Sequence, residues 1–91
     1  MITRARPEPC TYSRSWPDAP CDDPVAEKAR LFTVHLREAV GSRPLREIRN
    51  LTGVDPATLS RIIAGHAWPD GYTIARLEVR LHPDLWPAAE D

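Results

Sequence analysis

Residues 45–65, LREIRNLTGVDPATLSRIIAG, decide how the rest of the chain is read. Leu45, Ile48 and Leu51 recur at helical spacing until Thr52-Gly53 interrupts them. Asp55 then offers a side-chain oxygen to the unpaired amides of a new helix, and Pro56 fits its first turn, where a missing N–H costs nothing. Leu59, Ile62 and Ile63 form the apolar face of this second helix, and Gly65 suits the left-handed residue just past its end. Two short helices joined by a tight glycine turn make a helix-turn-helix, a motif whose second helix enters the DNA major groove.

On the N-terminal side, Asp23 caps and Pro24 opens a longer helix that runs to about Val40. Val25, Ala29, Phe32, Leu36 and Val40 form its continuous apolar stripe, with Glu27, Lys28, Arg30, Arg37 and Glu38 on the other faces. Gly41-Ser42 stops this helix, and the next starts near Pro44. The stripe packs the long helix across the back of the helix-turn-helix. His35 reads as an exposed helix residue. On the C-terminal side, Asp70 caps a fourth helix over residues 71–82, with Ile74, Leu77 and Leu81 on one face and Arg76, Glu78 and Arg80 outward. Pro83 ends it. Trp86 either folds back on the core or forms half of a dimer contact, and residues 87–91 trail off as a frayed acidic end.

Residues 1–24 hold five of the ten prolines, mixed with Ser, Thr, Asp and Glu, and show neither helical nor alternating patterning. Residues 1–23 are therefore expected to be a disordered Pro-rich tail, with residues 24–91 as the helix-turn-helix domain and 44–65 as its reader. Tyr12 and Trp16 are the tail's large apolar groups; a solvated tail is the plain reading, and a short recognition peptide for a protein partner is the alternative. Ten residues separate Cys10 from Cys21, without the close Cys or His spacing of a zinc site, so no metal is expected; both thiols lie in the tail, so the folded part needs no disulfide, and no cofactor is implied.

Charge adds a mild bias. The chain carries 12 basic and 13 acidic residues, yet residues 43–68 hold four arginines against two carboxylates. The basic start at Arg4 and Arg6 is followed by Pro7-Glu8-Pro9 where a signal peptide needs an apolar run, and no run approaches the roughly 20 residues of a membrane span. A cytoplasmic protein is the expectation. The sequence holds no Gly-rich phosphate loop, no Cys/His or Ser/His arrangement and no paired carboxylates, and His35, His66 and His82 are far apart, so no enzyme is expected.

The predicted architecture is all-α: a small four-helix domain built on the helix-turn-helix. The order resembles the Cro and phage-repressor (Xre-like) helix-turn-helix family over roughly residues 26–81, most closely in LTGVDPATLSRIIAG and in WPDGYTIARLEVRL. Gly53 stands at the turn glycine, Val54 at the apolar residue after it, Leu59 and Ile62 at the buried positions of the recognition helix, and Gly65 at its end. PATLSRIIAG is also similar to the reader of LacI-type repressors, which place it at the extreme N-terminus with no long helix ahead of it. Two positions depart from the Xre-like pattern. Arg49 stands where a small residue is usual, so either its stem lies along the groove and its head snorkels out, or the helix pair is spread slightly. Pro44 replaces the usual Ser or Thr cap of the second helix.

The resemblance implies a duplex DNA-binding transcriptional regulator, a repressor acting as a homodimer on half-sites about 34 Å apart. By position it assigns Pro56, Ala57, Ser60 and Arg61 to the bases. Only Arg61 has the fork suited to guanine, worth about 1–3 kcal/mol of discrimination. Arg43 and Arg46 are placed for phosphates at the start of the second helix, and Thr58, His66 and Trp68 join them on the backbone. For the arginines the alternative is a solvated face, for example Arg43 paired with Glu47. The rival at the level of the whole chain is a protein-binding helix-turn-helix module, such as an antitoxin or phage accessory protein, with weak or no DNA reading.

Overall fold

Three of the four helices begin with the same device, an Asp side chain that accepts a backbone N–H of the first turn. Asp23 Oδ2 accepts from Ala26 N at 2.9 Å, Asp55 Oδ2 from Ala57 N at 3.0 Å and Asp70 Oδ1 from Thr73 N at 2.7 Å. In this computed structural model, which describes residues 6–88, the helices are α1 (Pro24–Val40), α2 (Leu45–Thr52), α3 (Pro56–Ile63) and α4 (Gly71–Arg80). A short 3-10 helix, Pro9–Tyr12, precedes them. The fold is all-helical; among the described residues the extended pairing is limited to one isolated bridge, Ser13 with Cys21. No helix of the described residues is long and apolar enough to cross a membrane.

The core gathers one stripe from each helix: Phe32, Leu36 and Val40 from α1, Ile48 from α2, Leu59 and Ile62 from α3, and Leu77 from α4. Val54 of the α2–α3 turn and Leu85 beyond α4 complete it. Full burial of such side chains stabilises by about 1.5–3 kcal/mol each. α1 packs against α3, and α2 packs against both α3 and α4, so the long helix is seated on α3. Two details of the stripes differ from expectation. Val25 is exposed, and Ala26 beside it is buried. Leu51 is 46% exposed, because it stands about 120° around α2 from Leu45. Thr52, four residues after Ile48, takes the inward position.

The turn between α2 and α3 is held from both sides. Gly53 adopts φ +81°, the left-handed conformation a helix-ending glycine supplies. Thr52 Oγ1 donates to the Ile48 carbonyl at 2.7 Å and accepts from Val54 N at 3.1 Å, so its hydroxyl is satisfied although buried. Arg76 reaches across from α4, and its Nε donates to the Thr52 carbonyl at 2.8 Å. Arg49 is exposed, and the inward side chains of α2 are Ile48 and Thr52.

Beyond α4 the chain folds back. Glu78 Oε2 accepts from Leu85 N and Trp86 N, at 3.2 and 2.9 Å. Trp86 folds back against Phe32 with ring centroids 5.7 Å apart and remains 37% exposed. His35 is half-buried: its Nδ1 lies 2.8 Å from the Leu85 carbonyl, which can only accept, so Nδ1 carries the proton.

The expected disorder of residues 1–23 does not hold for residues 6–23. Pro9, Pro17 and Cys21 are buried, and the segment wraps the far side of α1 and the end of α3. Trp16 donates its indole N–H to the Ile63 carbonyl at 3.0 Å, and Cys10 donates its backbone N–H to the Gly65 carbonyl at 3.0 Å. On α1, Arg30 donates to the Pro17 carbonyl and forks onto Glu27, whose Oε1 also accepts from Cys21 N. Asp18 meets Arg37 at 3.5 Å. The physical reason is density of anchors. Prolines lower the entropy of ordering a segment, and two aromatic rings and two buried prolines give it apolar surface to bury. The first five residues of the expected tail and most of the frayed acidic end (89–91) lie outside the described residues.

Candidate nucleic-acid interface

Helical geometry sorts α3 into two faces. Leu59 and Ile62 point into the core and fix the helix, while Ala57, Ser60, Arg61 and Ala64 stand exposed at spacings of three, one and three. Pro56 and Thr58 are half-buried at its flanks. The structure therefore brings Ala57, Ser60 and Arg61 onto a single outward stripe and sets Pro56 at its N-terminal edge. Among the described residues the Arg61 guanidinium makes no ion pair, so its five donors remain free for a ligand. Ala64 extends the stripe by one turn, at i+7 from Ala57, a spacing that marks it in the sequence.

The basic residues of the neighbouring elements are not equivalent. Arg46 is exposed in the first turn of α2. Arg43 is exposed but occupied: its Nη2 donates to the Ala39 carbonyl at 2.7 Å and its Nε to the Val40 carbonyl at 3.3 Å. It thus closes the C-terminal end of α1, whose last carbonyls lack intrahelical partners. The alternative pairing of Arg43 with Glu47 is absent among the described residues.

His66 and Trp68 are engaged by the N-terminal segment. Trp68 donates its indole N–H to the Pro7 carbonyl at 2.8 Å, meets Tyr12 edge-on at 6.3 Å between centroids, and has the Arg6 guanidinium 5.9 Å from its ring. The only donor of the indole is therefore taken. His66 Nδ1 lies 3.0 Å from Glu8 Oε1 and 3.8 Å from Cys10 Sγ. No local pattern announces these contacts, because their partners lie 56 or more residues away in sequence.

Family models, curated proteins and solved structures were compared with the chain, and none matches. The functional reading rests on the arrangement of side chains.

That arrangement has two further features. Gly65, at φ +78°, lets the segment close over the end of α3: a Cβ there would stand 2.6 Å from Cys10 Cβ and 2.8 Å from the Trp16 ring. On α4, Tyr72, Ala75, Arg76 and Val79 form an exposed stripe, with Tyr72 70% and Val79 79% exposed. Charge near the docked segment is tuned as well. Hydrogen bonding from Arg30 holds the Glu27 carboxyl below its ordinary pKa, against a smaller opposing effect of burial. Burial, ahead of the Glu27 charge, pushes the Cys21 thiol up.

Proposed function

We propose that the chain is a sequence-specific, duplex DNA-binding transcriptional regulator of the Xre-like helix-turn-helix kind, a repressor in the cytoplasm, with α2 and α3 as its helix-turn-helix. The observation that carries this reading is the outward stripe of α3, on which a free arginine follows small side chains. Small residues let the helix approach the floor of the major groove, and Arg61 then reaches guanine O6 and N7. Ala57 and Ser60 meet base edges, with Pro56 at the N-terminal edge of the same surface. Arg46 and Thr58 fall to phosphates.

Arg43, His66 and Trp68 belong to the rim of this surface, each already tied by a contact inside the protein. Their part in phosphate binding is the smaller one, and Arg46 carries the larger. The exposed Tyr72–Val79 stripe of α4 supports a homodimer, which a reader of so few base contacts needs for specificity. The same stripe also favours the rival reading, a protein-binding helix-turn-helix module.

Fluorescence anisotropy with a pool of duplexes at several salt concentrations separates the two. The regulator binds with an affinity that falls steeply with salt. Arg61→Ala and Arg46→Ala weaken it, whereas the protein-binding module is indifferent to both changes.

A further inference from the structure

The N-terminal segment and the loop after α3 bring three metal-binding side chains together. Cys10 Sγ lies 3.8 Å from His66 Nδ1, Glu8 Oε1 lies 3.0 Å from the same nitrogen, and Sγ and Oε1 are 4.0 Å apart. Among the described residues this is the one group of three such donors within mutual reach of a single ion. We propose that Glu8, Cys10 and His66 bind one zinc ion, with water as fourth ligand.

The geometry fits. Tetrahedral zinc with bonds of about 2.3 Å to sulfur and about 2.0–2.2 Å to nitrogen and oxygen sets its ligand atoms about 3.3–3.6 Å apart. Each edge of the Cys10–His66–Glu8 triangle is within a few tenths of an ångström of that. The donor set is chemically selective. A thiolate and an imidazole beside one carboxylate suit zinc or another late transition ion, and they do not suit magnesium or calcium, which take oxygen. Binding breaks the Cys10 S–H bond, the thiolate keeps the electron pair that forms the zinc–sulfur bond, and the proton leaves to solvent.

Each ligand is held by bonds that do not depend on the ion. Cys10 N donates to the Gly65 carbonyl, the residue next to His66, at 3.0 Å. Glu8 is fixed by its own carbonyl, which accepts from Thr11 N at 3.1 Å and from Thr11 Oγ1 at 2.7 Å. Pro7 is tied to Trp68 on the other flank. Glu8 and His66 are exposed and Cys10 is half-buried, so the ion has an open path and room for its water. Zinc there would fasten the N-terminal segment to the end of α3 across a loop of 56 residues. The proposal is independent of DNA reading: either can fail alone.

Cobalt(II) titration of the full reduced chain tests it, since cobalt reports a thiolate ligand by a charge-transfer absorption in the near ultraviolet. The expected result is a band that saturates at one equivalent and is displaced by zinc. Cys21→Ser keeps the band, Cys10→Ser loses it, and His66→Gln and Glu8→Gln each weaken zinc binding at least about tenfold. Zinc at about 100 times its Kd also raises the unfolding midpoint by roughly 10–20 °C.

A band that never appears, or one that survives in Cys10→Ser, overturns the proposal. Should Cys10→Ser fail to fold, alkylation of Cys10 in the Cys21→Ser protein replaces it. Protection by zinc supports the site, and an unchanged alkylation rate overturns it.

Discussion

The indole N–H of Trp16 donates to the carbonyl of Ile63, 47 residues later, and joins the N-terminal segment to the last turn of α3. That carbonyl belongs to a helix end, where no backbone partner is available, so Trp16 acts as a cap supplied from a distant part of the chain. The N-terminal segment is consequently part of the domain that positions the α3 stripe.

Trp16→Ala removes both the hydrogen bond and a half-buried ring, and should cost about 1.5–3 kcal/mol. Trp16→Phe, which keeps most of the apolar surface, should cost about 0.5–1.5 kcal/mol. Urea denaturation followed by circular dichroism checks both. Unchanged midpoints would mean that the segment does not contribute to the fold.

The glycines give a graded series. Gly71 has open space around it, and Gly71→Ala should be neutral or stabilise by about 0.4–1 kcal/mol. Gly53→Ala meets the left-handed penalty and the Arg76 guanidinium at 2.8 Å, a flexible group that can swing away, for about 1–2 kcal/mol. Gly65→Ala meets the same penalty plus Cys10 Cβ and the Trp16 ring, and should cost about 2–5 kcal/mol. The order of the three denaturation midpoints is the test, and Gly53→Ala falling below Gly65→Ala would contradict the packing described.

Much of this fold was legible locally. Asp23-Pro24, Asp55-Pro56 and Asp70 marked the helix starts, and Gly53 and Gly65 marked two ends, because caps and left-handed glycines act over a few residues. The buried face of α3, Leu59 and Ile62, followed from periodicity, and its outward residues are those the family resemblance assigned by position. What the sequence hid was long-range. Two of the prolines that suggested disorder, Pro9 and Pro17, are buried, and their segment is tied to Ile63 and Gly65 far along the chain. Arg76, read as outward, turns back to the Thr52 carbonyl 24 residues earlier. Arg43 looked free for phosphate because a side chain bonding backwards to Ala39 and Val40 leaves no pattern. The nearness of Cys10 to His66 was equally invisible, since spacing rules detect ligands only within one loop.

Acid should loosen the N-terminal segment through Glu27. Its folded pKa is depressed, first by the hydrogen bond from Arg30, so its contribution is fully present above the unfolded value of about 4.3. That contribution is lost as pH falls through the lower folded value. The stability difference between the native chain and Glu27→Gln should therefore be constant near neutrality and shrink below about pH 4. Asp70, whose carboxyl is also held low by the Thr73 N–H, is present in both proteins and cancels. A difference that stays level through the acid range would contradict this role.

Arg61→Ala should weaken binding to a preferred duplex by about 1–3 kcal/mol, roughly 5- to 150-fold, and relax the choice of base at one position per half-site. Arg46→Ala should weaken binding alike on all sequences and reduce its salt slope by about one. Binding curves on a matched and a scrambled duplex separate the two signatures. If Arg46→Ala changed sequence preference instead, the docking of α2 on the backbone would be wrong.

The most direct test of DNA reading by α3 is selection of genomic fragments on the purified protein at about 0.15 M salt, followed by sequencing. Enrichment of one inverted repeat, with half-sites about 34 Å apart and lost in Arg61→Ala, is the expected result. Uniform recovery of fragments would contradict sequence reading, and retention of none, even after the salt is lowered, would contradict DNA binding altogether.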